Sequence, residues 1–322
     1  MKLNPSRNIG LDLIRVTETA ALAAGRWVGS GDFMSAHRAA TRAMADALNT
    51  LDMNGRIVLG EEGRLGRNAP LRSGVSVGTG NGPDVDVIVD PIDGTDLLVK
   101  GIPGAISLVC IAPRGTVWSP KTAVYMEKIV VDADAANVLV PECLDAPAAW
   151  TLALIARAKD KAVRDLSVTI LDRPRHADLI NEIRQAGAKV LLRKEGDAEG
   201  ALTAVTHGTG VDMLMGVGGA PQGVIAGCAA KALGGGMLAR LSPQTDDEIE
   251  EIKKEGLEAG TILTQDEIAQ TDQLFFAATG ITNSTLLREM QFFSTHARTH
   301  SLLIRSETGT RRFIDAEHSA RI

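Results

Sequence analysis

The sequence predicts an α/β fold, because short aliphatic strands alternate with amphipathic helices, and acidic or glycine-rich loops stand where the strands end. The clearest such strand is Val87-Ile88-Val89, which runs into Asp90 as a buried strand running into a site would. The 33 glycines supply tight strand–helix turns, and 44% hydrophobic residues place the chain far above a disordered composition. At 322 residues it is long enough for two domains or one large α/β unit, and a Pro-containing stretch at 133–150 suggests a boundary near 145. The expected division is 1–145 and 146–322. Aromatics amount to only 3%, so the core must be aliphatic and rich in Ala and Gly.

In chain order, residues 11–28 place apolar side chains at three- and four-residue spacing and predict a helix ended by Gly29, Gly31 and Asp32. A second helix is expected at 37–48, then a strand at 56–59 leading to Gly60-Glu61-Glu62-Gly63. Residues 64–83 read as loop with a short strand at 75–77. The strand before Asp90 should stop at Pro91, which has no N–H to donate. Strands follow at 105–112 and 125–132. Beyond the boundary, helices at 150–161 and 177–185 flank a strand at 166–171. A strand from 189 enters a loop–helix unit through Glu195-Gly196-Asp197. A strand at 212–216 precedes Gly218-Gly219 and a helix at 222–233. Residues 244–259 form a charged helix, strands are expected at 275–278 and 301–304, and the tail is polar.

The loop after Val89 carries the chemistry. Asp90 and Asp93, with the Thr95 hydroxyl and a tight turn permitted by Gly94, offer hard oxygen ligands for Mg²⁺ or Mn²⁺ beside a phosphate. Taken alone, an acidic turn capping the next helix reads equally well. Glu61 and Glu62 end another strand; if the two strands are neighbours, three carboxylates converge, and if not these are surface glutamates. Arg173-Pro174-Arg175-His176 follows a strand, and guanidinium groups suit bidentate phosphate contacts. Gly216-Val217-Gly218-Gly219 matches neither the Rossmann fingerprint nor the Walker A loop. Tyr125, the only tyrosine, is either a core residue or a hydroxyl facing substrate. His296 and His300 have metal-like spacing with no third ligand nearby in sequence.

The net charge of −6 argues against a general nucleic-acid or membrane-surface partner, while a local basic pocket still admits an anionic small molecule. Cys110, Cys143 and Cys228 are widely spaced and show no metal-binding pattern, which fits a reducing compartment. The opening MKLNPSRNIG lacks a signal-peptide core, and no apolar run approaches the roughly 20 residues that span a bilayer. A cytoplasmic protein is expected.

Together the strings RVTETAALAAGRWVGSGD, IVLGEE, VDPIDGT, YMEKIVV, TILDRPRH, VDMLMGVGGAPQGV, FFAATGIT and LLIR resemble the class II fructose-1,6-bisphosphatase family, within the Mg²⁺-dependent, lithium-sensitive sugar phosphatases. The resemblance implies a layered αβαβα sandwich of two subdomains and a homo-oligomer. It also implies a phosphatase that removes the 1-phosphate of fructose 1,6-bisphosphate or a related sugar bisphosphate. Metal ligands map onto Glu61, Asp90 and Asp93, with Thr95 beside the scissile phosphate. Substrate contacts map onto Gly94, Thr95, Tyr125, Arg173, Pro174, Arg175, Glu195, Gly196, Asp197 and Gly219. The family carries Glu where this chain has Asp93, Lys where it has Arg173, and Asp where it has Glu195. His37 and Gln222 stand where the family has a liganding Asp and Glu; each keeps a donor atom, so both remain weak metal-ligand candidates, His37 better suited to Mn²⁺ or Zn²⁺. The loop after Glu61, GRLGRNAPL, is longer and more basic than the family's. These departures leave two alternatives open: a sugar-phosphate-binding paralogue with weakened catalysis, or a phosphatase for another sugar or cyclitol phosphate.

Overall fold

The computed structural model describes residues 9–66 and 68–319. The chain divides into two compact units, each an α/β layer structure on its own sheet. One holds the described residues up to Val117 together with those from Thr271 onward; the other is Trp118–Gln270. This differs from a single break at 145. The return is made by Phe275–Gly280, whose all-buried FFAATG run pairs with Ile106–Pro113 and His296–Arg305 in the first sheet.

The first unit is built on an eight-stranded mixed sheet. Its strands lie in the order Gln291–Phe292, His296–Arg305, Phe275–Gly280, Ile106–Pro113, Asp84–Asp93, Asn54–Leu59 and Ser76–Val77, with Thr310–Ser319 paired to His296–Arg305. Among the described residues of this sheet, only Asn54–Leu59 and Asp84–Asp93 run parallel. Helices Ile9–Gly25 and Phe33–Leu48 cover the sheet: Leu13, Val16, Met44 and Leu48 share one core with Val87, Val89, Val109, Phe275 and Leu303. Small residues at Ala21, Ala24, Ala36 and Ala40 bring the two helices together above Ile92, Leu97 and Leu98. Asp32 starts the second helix by accepting the Ser35 N–H at 3.0 Å, so that helix begins at Phe33, one turn earlier than the spacing predicts.

The second unit has a six-stranded mixed sheet in the order Leu263–Thr264, Gly236–Leu241, Tyr125–Val131, Met213–Gly219, Ser167–Leu171, Lys189–Arg193. Alternate residues of the central strand face opposite ways. Ile129 and Val131 pack with Leu152, Ile155, Ile180 and Ile183 of helices Ala148–Ala158 and Ala177–Gln185. Met126 and Lys128 face the other side, toward helices Asp197–Val205 and Ala220–Leu233.

Three further differences have local causes. The Asp84–Asp93 strand does not stop at Pro91, because its pairing with Ile106–Pro113 jumps from Asp90 to Asp93 and the missing N–H falls within the skipped stretch. Gly236–Leu241 is a strand hidden behind a glycine run. The polar tail forms the edge strand Thr310–Ser319, whose charged, mostly exposed residues give little hydrophobic signal.

Candidate functional site

Because Asn54–Leu59 and Asp84–Asp93 are parallel neighbours, the loops after both emerge at the same end of the sheet, bringing Glu61 close to Asp90 and Asp93. All three carboxylates are buried, as is Thr95. Gly60 makes the first turn possible: a Cβ there would stand 1.9 Å from the Leu71 carbonyl oxygen. The adjacent glutamates then separate. Glu62 accepts from the Ser73 backbone N–H at 3.0 Å and from its hydroxyl, which anchors the loop, while Glu61 turns inward. Gly94 adopts φ +87°, a left-handed conformation favouring glycine, and starts the short helix Thr95–Val99. Asp86, deeper in the same strand, is held by Arg56, Arg114 and the Gly115 N–H.

His37, fully buried on the second helix, connects two of these groups. Its Nε2 is hydrogen-bonded to Glu61 Oε2, and its Nδ1 is 3.2 Å from Thr95 Oγ1. The Thr95 hydroxyl itself donates to the Ile92 carbonyl at 3.2 Å, so it stands between His37 and that carbonyl. The Phe33 ring stacks near-parallel to the imidazole at a centroid distance of 5.9 Å. Glu61, His37 and Thr95 thus form a carboxylate–imidazole–hydroxyl chain.

Arg64 completes the cluster, and no spacing argument singles it out. Its Nη1 donates to Asp90 Oδ1 at 3.1 Å and to the Ile92 carbonyl at 3.2 Å, and lies 3.9 Å from Glu61 Oε2. Burial opposes its charge, but Asp90, Glu61 and Asp93 outweigh burial and raise its pKa above the ordinary guanidinium value. The signal in the sequence is the basic loop GRLGRNAPL, where the resembled family carries more acids.

Three carboxylates suit a hard divalent ion by donor chemistry. As placed here they do not: a guanidinium holds Asp90 and an imidazole holds Glu61. Among the described residues, the His, Asp and Glu atoms that gather within 4.8 Å of one another as a possible ligand group belong instead to Asp132, Asp134 and His207 of the second unit. There Lys159 Nζ already sits 2.6 Å from Asp132 Oδ2.

In the second unit, Arg175 lies over the Tyr125 ring at 5.1 Å and donates through Nη2 to the Val217 carbonyl at 2.9 Å. Arg173 is half-buried at the start of the Pro174–His176 turn and donates to the carbonyl of Asp172. Gly196 adopts φ +81° before helix Asp197–Val205, and Asp197 bonds Lys128 Nζ at 2.6 Å. Glu195 directly precedes that turn. Gly219 precedes helix Ala220–Leu233, and Gln222 folds back so closely that a Cβ on Gly219 would stand 2.2 Å from its Oε1. His296 and His300 lie on the His296–Arg305 strand, away in sequence from every loop above.

His176 was not singled out by sequence, yet it fixes the Arg175 turn. Its Nδ1–H donates to the Leu171 carbonyl at 2.7 Å, and its Nε2 accepts the Val217 N–H at 2.8 Å, which requires the neutral ring. Burial, with the neighbouring Arg175 and Lys128 charges, lowers its pKa. A histidine lowered on folding stabilises the fold above its unfolded pKa and loses that contribution as pH falls through and below it. From about pH 7 to about pH 5, wild type should therefore lose more stability than His176→Gln. Urea melts at the two pH values measure it, and identical pH dependence would contradict it.

The model of one family, described as bacterial fructose-1,6-bisphosphatase, glpX-encoded, matches residues 7–318. A D-fructose 1,6-bisphosphatase class 2/sedoheptulose 1,7-bisphosphatase of Synechococcus sp. (strain JA-3-3Ab) is 38% identical over 336 positions, spanning 96% of this chain and 95% of that protein. A protein of the same description from Trichodesmium erythraeum (strain IMS101) is 36% identical over 335 positions, with 96% of each chain covered. No helix among the described residues is long and apolar enough to cross a membrane.

Proposed function

The chain belongs to the glpX-encoded bacterial fructose-1,6-bisphosphatase family, and on that premise we propose that it is a phosphoric monoester hydrolase acting on a sugar bisphosphate. The substrate is fructose 1,6-bisphosphate or a close relative, cleaved at the 1-phosphate. The observation that carries this reading is the cluster of Glu61, Asp90, Asp93, Thr95, His37 and Arg64 at the ends of two parallel strands.

The reaction adds water to phosphorus and breaks the bond from phosphorus to the sugar oxygen. The products are inorganic phosphate and a sugar monophosphate, the departing oxygen taking up a proton. In this chain Glu61 orients His37, and His37 holds the Thr95 hydroxyl, so one group at the reacting phosphate has a fixed direction. That is positional catalysis, since the hydroxyl need not reorganise as the reaction proceeds. Tyr125, Arg173 and Arg175 of the second unit are proposed phosphate contacts, and Gly219 and the loop Glu195-Gly196-Asp197 proposed sugar contacts. Arginine suits that role because its planar fork matches phosphate oxygens.

The resemblance implies Mg²⁺ or Mn²⁺ at Glu61, Asp90 and Asp93, with His37 and Gln222 as weaker donors. Arg64 and His37 stand against it. The same two residues favour the second reading, a protein that binds a sugar phosphate with little turnover.

A panel of sugar bisphosphates assayed for phosphate release, with EDTA, Mg²⁺ or Mn²⁺, separates these readings. We expect release that falls about 10²-fold or more in Asp90→Asn, since that residue orients the phosphate-facing Arg64. Release no greater than that of the variant under every condition, with calorimetric binding intact, establishes the binding protein instead.

A further inference from the structure

We propose that Arg64 replaces a divalent cation in this site: its guanidinium neutralises the carboxylates from within the chain and presents its outer edge to the reacting phosphate. The inference deepens the phosphatase reading and takes from it only that this cluster faces a phosphate.

The placement supports both halves. A bound Mg²⁺ or Mn²⁺ would need the oxygen atoms that Arg64 now uses, at Asp90 Oδ1 and the Ile92 carbonyl, with Glu61 Oε2 close by. An ion there would face a fixed positive charge, and like charges brought together in a largely buried site repel strongly. Glu61 is further engaged by His37, so a second donor is also occupied. The guanidinium is held in position from both ends. Its backbone belongs to the short helix Glu62–Leu65, which the Glu62 contacts to Ser73 pin down, and its tip is held by Asp90 and Ile92.

The side chain is nevertheless 32% exposed, whereas Asp90 is 1% and Glu61 4% exposed. The anions are thus covered while part of the Arg64 side chain is reachable. A guanidinium has five N–H donors in a planar fork, and Nη1 alone serves Asp90 and Ile92. The remaining edge can meet phosphate oxygens, the anion for which that geometry is best suited. One residue would then supply the positive charge that a metal ion otherwise brings, without a cofactor to load.

Two binding measurements on the full chain test this, neither of which depends on turnover. Electron paramagnetic resonance titration with Mn²⁺ should show affinity at least about tenfold higher in Arg64→Gln than in wild type, the effect of removing a charge repulsion. Arg64→Lys, which keeps the charge, should stay close to wild type. In EDTA, calorimetry with inorganic phosphate should show wild-type binding that weakens about tenfold or more in Arg64→Gln, the loss expected for charge-assisted hydrogen bonds. Circular dichroism melts establish that each variant is folded, and Arg64→Lys stands in if the glutamine variant is not: Mn²⁺ affinity in that protein rivalling a dedicated metal site overturns the proposal. Equal Mn²⁺ affinity in wild type and Arg64→Gln, whether tight or absent, overturns it, as does phosphate binding indifferent to Arg64. If these results come out as expected while no sugar bisphosphate is hydrolysed, the phosphatase reading falls and the Arg64 inference stands. Metal-dependent hydrolysis with tight wild-type Mn²⁺ binding gives the opposite outcome.

Discussion

Asp197→Ala should destabilise the protein by about 3–5 kcal/mol, because it leaves the Lys128 ammonium buried without its counter-charge. Lys128 is fully buried in the middle of the second sheet, and its Nζ meets Asp197 Oδ2 at 2.6 Å. The pair is built into the backbone. A Cβ on Gly218 would stand 1.9 Å from the Asp197 carboxylate and 2.8 Å from Lys128 Nζ, so the neighbouring strand can pass only as glycine. Desolvating two charges is costly, and the net stabilisation of an intact buried pair is small; the large effect comes from removing one partner alone. Replacing both, as in Lys128→Met with Asp197→Leu, should therefore recover most of the loss. Asp197→Asn keeps an acceptor oxygen and should fall between. Urea melts read all three, the midpoint moving while the slope stays constant. An Asp197→Ala protein that loses sugar-phosphate affinity but keeps its stability within about 0.5 kcal/mol of wild type would overturn this.

That contrast shows where sequence reading succeeds and where it stops. The strand run Val87-Ile88-Val89 and its acidic exit loop were legible, since consecutive aliphatic residues mark a strand buried on both faces. The convergence of Glu61 with Asp90 was legible only as a condition on the two strands being neighbours, and their parallel pairing meets it. The family resemblance identified which residues gather at the loops. It could not say which partner each would take. Glu61 and Glu62 are adjacent and chemically identical, yet one faces His37 and the other Ser73; a backbone turn at Gly60 makes that choice. Lys128 reads from sequence as part of a recurring string, and only the sheet shows that it is buried opposite Asp197. Arg64 and His176 escaped for a similar reason. Arg64 bonds Asp90, 26 positions away, and His176 bonds backbone groups of Leu171 and Val217, and such contacts leave no local pattern. The break at 145 differed from the observed units because strand Phe275–Gly280 pairs across about half the chain's length, and composition carries no record of pairing.

Thr95→Val should lower phosphate release by about 10²-fold with KM little changed, while Thr95→Ser should retain most of the activity. Valine keeps the β-branched shape and removes only the hydroxyl, which lies 3.2 Å from His37 Nδ1 and 3.2 Å from the Ile92 carbonyl. Because that hydroxyl is buried and held between His37 and the Ile92 carbonyl, its contribution should appear at the transition state rather than in ground-state affinity. Loss of the contact should also destabilise the fold, by about 1–3 kcal/mol, since His37 Nδ1 is left buried without its partner. The serine variant separates the two effects. It restores the hydroxyl but loses a methyl group, so it should show a small stability cost, about 1 kcal/mol, with catalysis preserved. Glu61→Gln acts one step further away: it keeps an acceptor for His37 but removes the charge that orients the ring, and should lower kcat less than Thr95→Val. Steady-state kinetics on the preferred sugar bisphosphate, paired with thermal melts, read each variant on both axes. A Thr95→Val enzyme with unchanged kcat would show that the Glu61–His37–Thr95 chain holds the loop together and takes no part in the reaction.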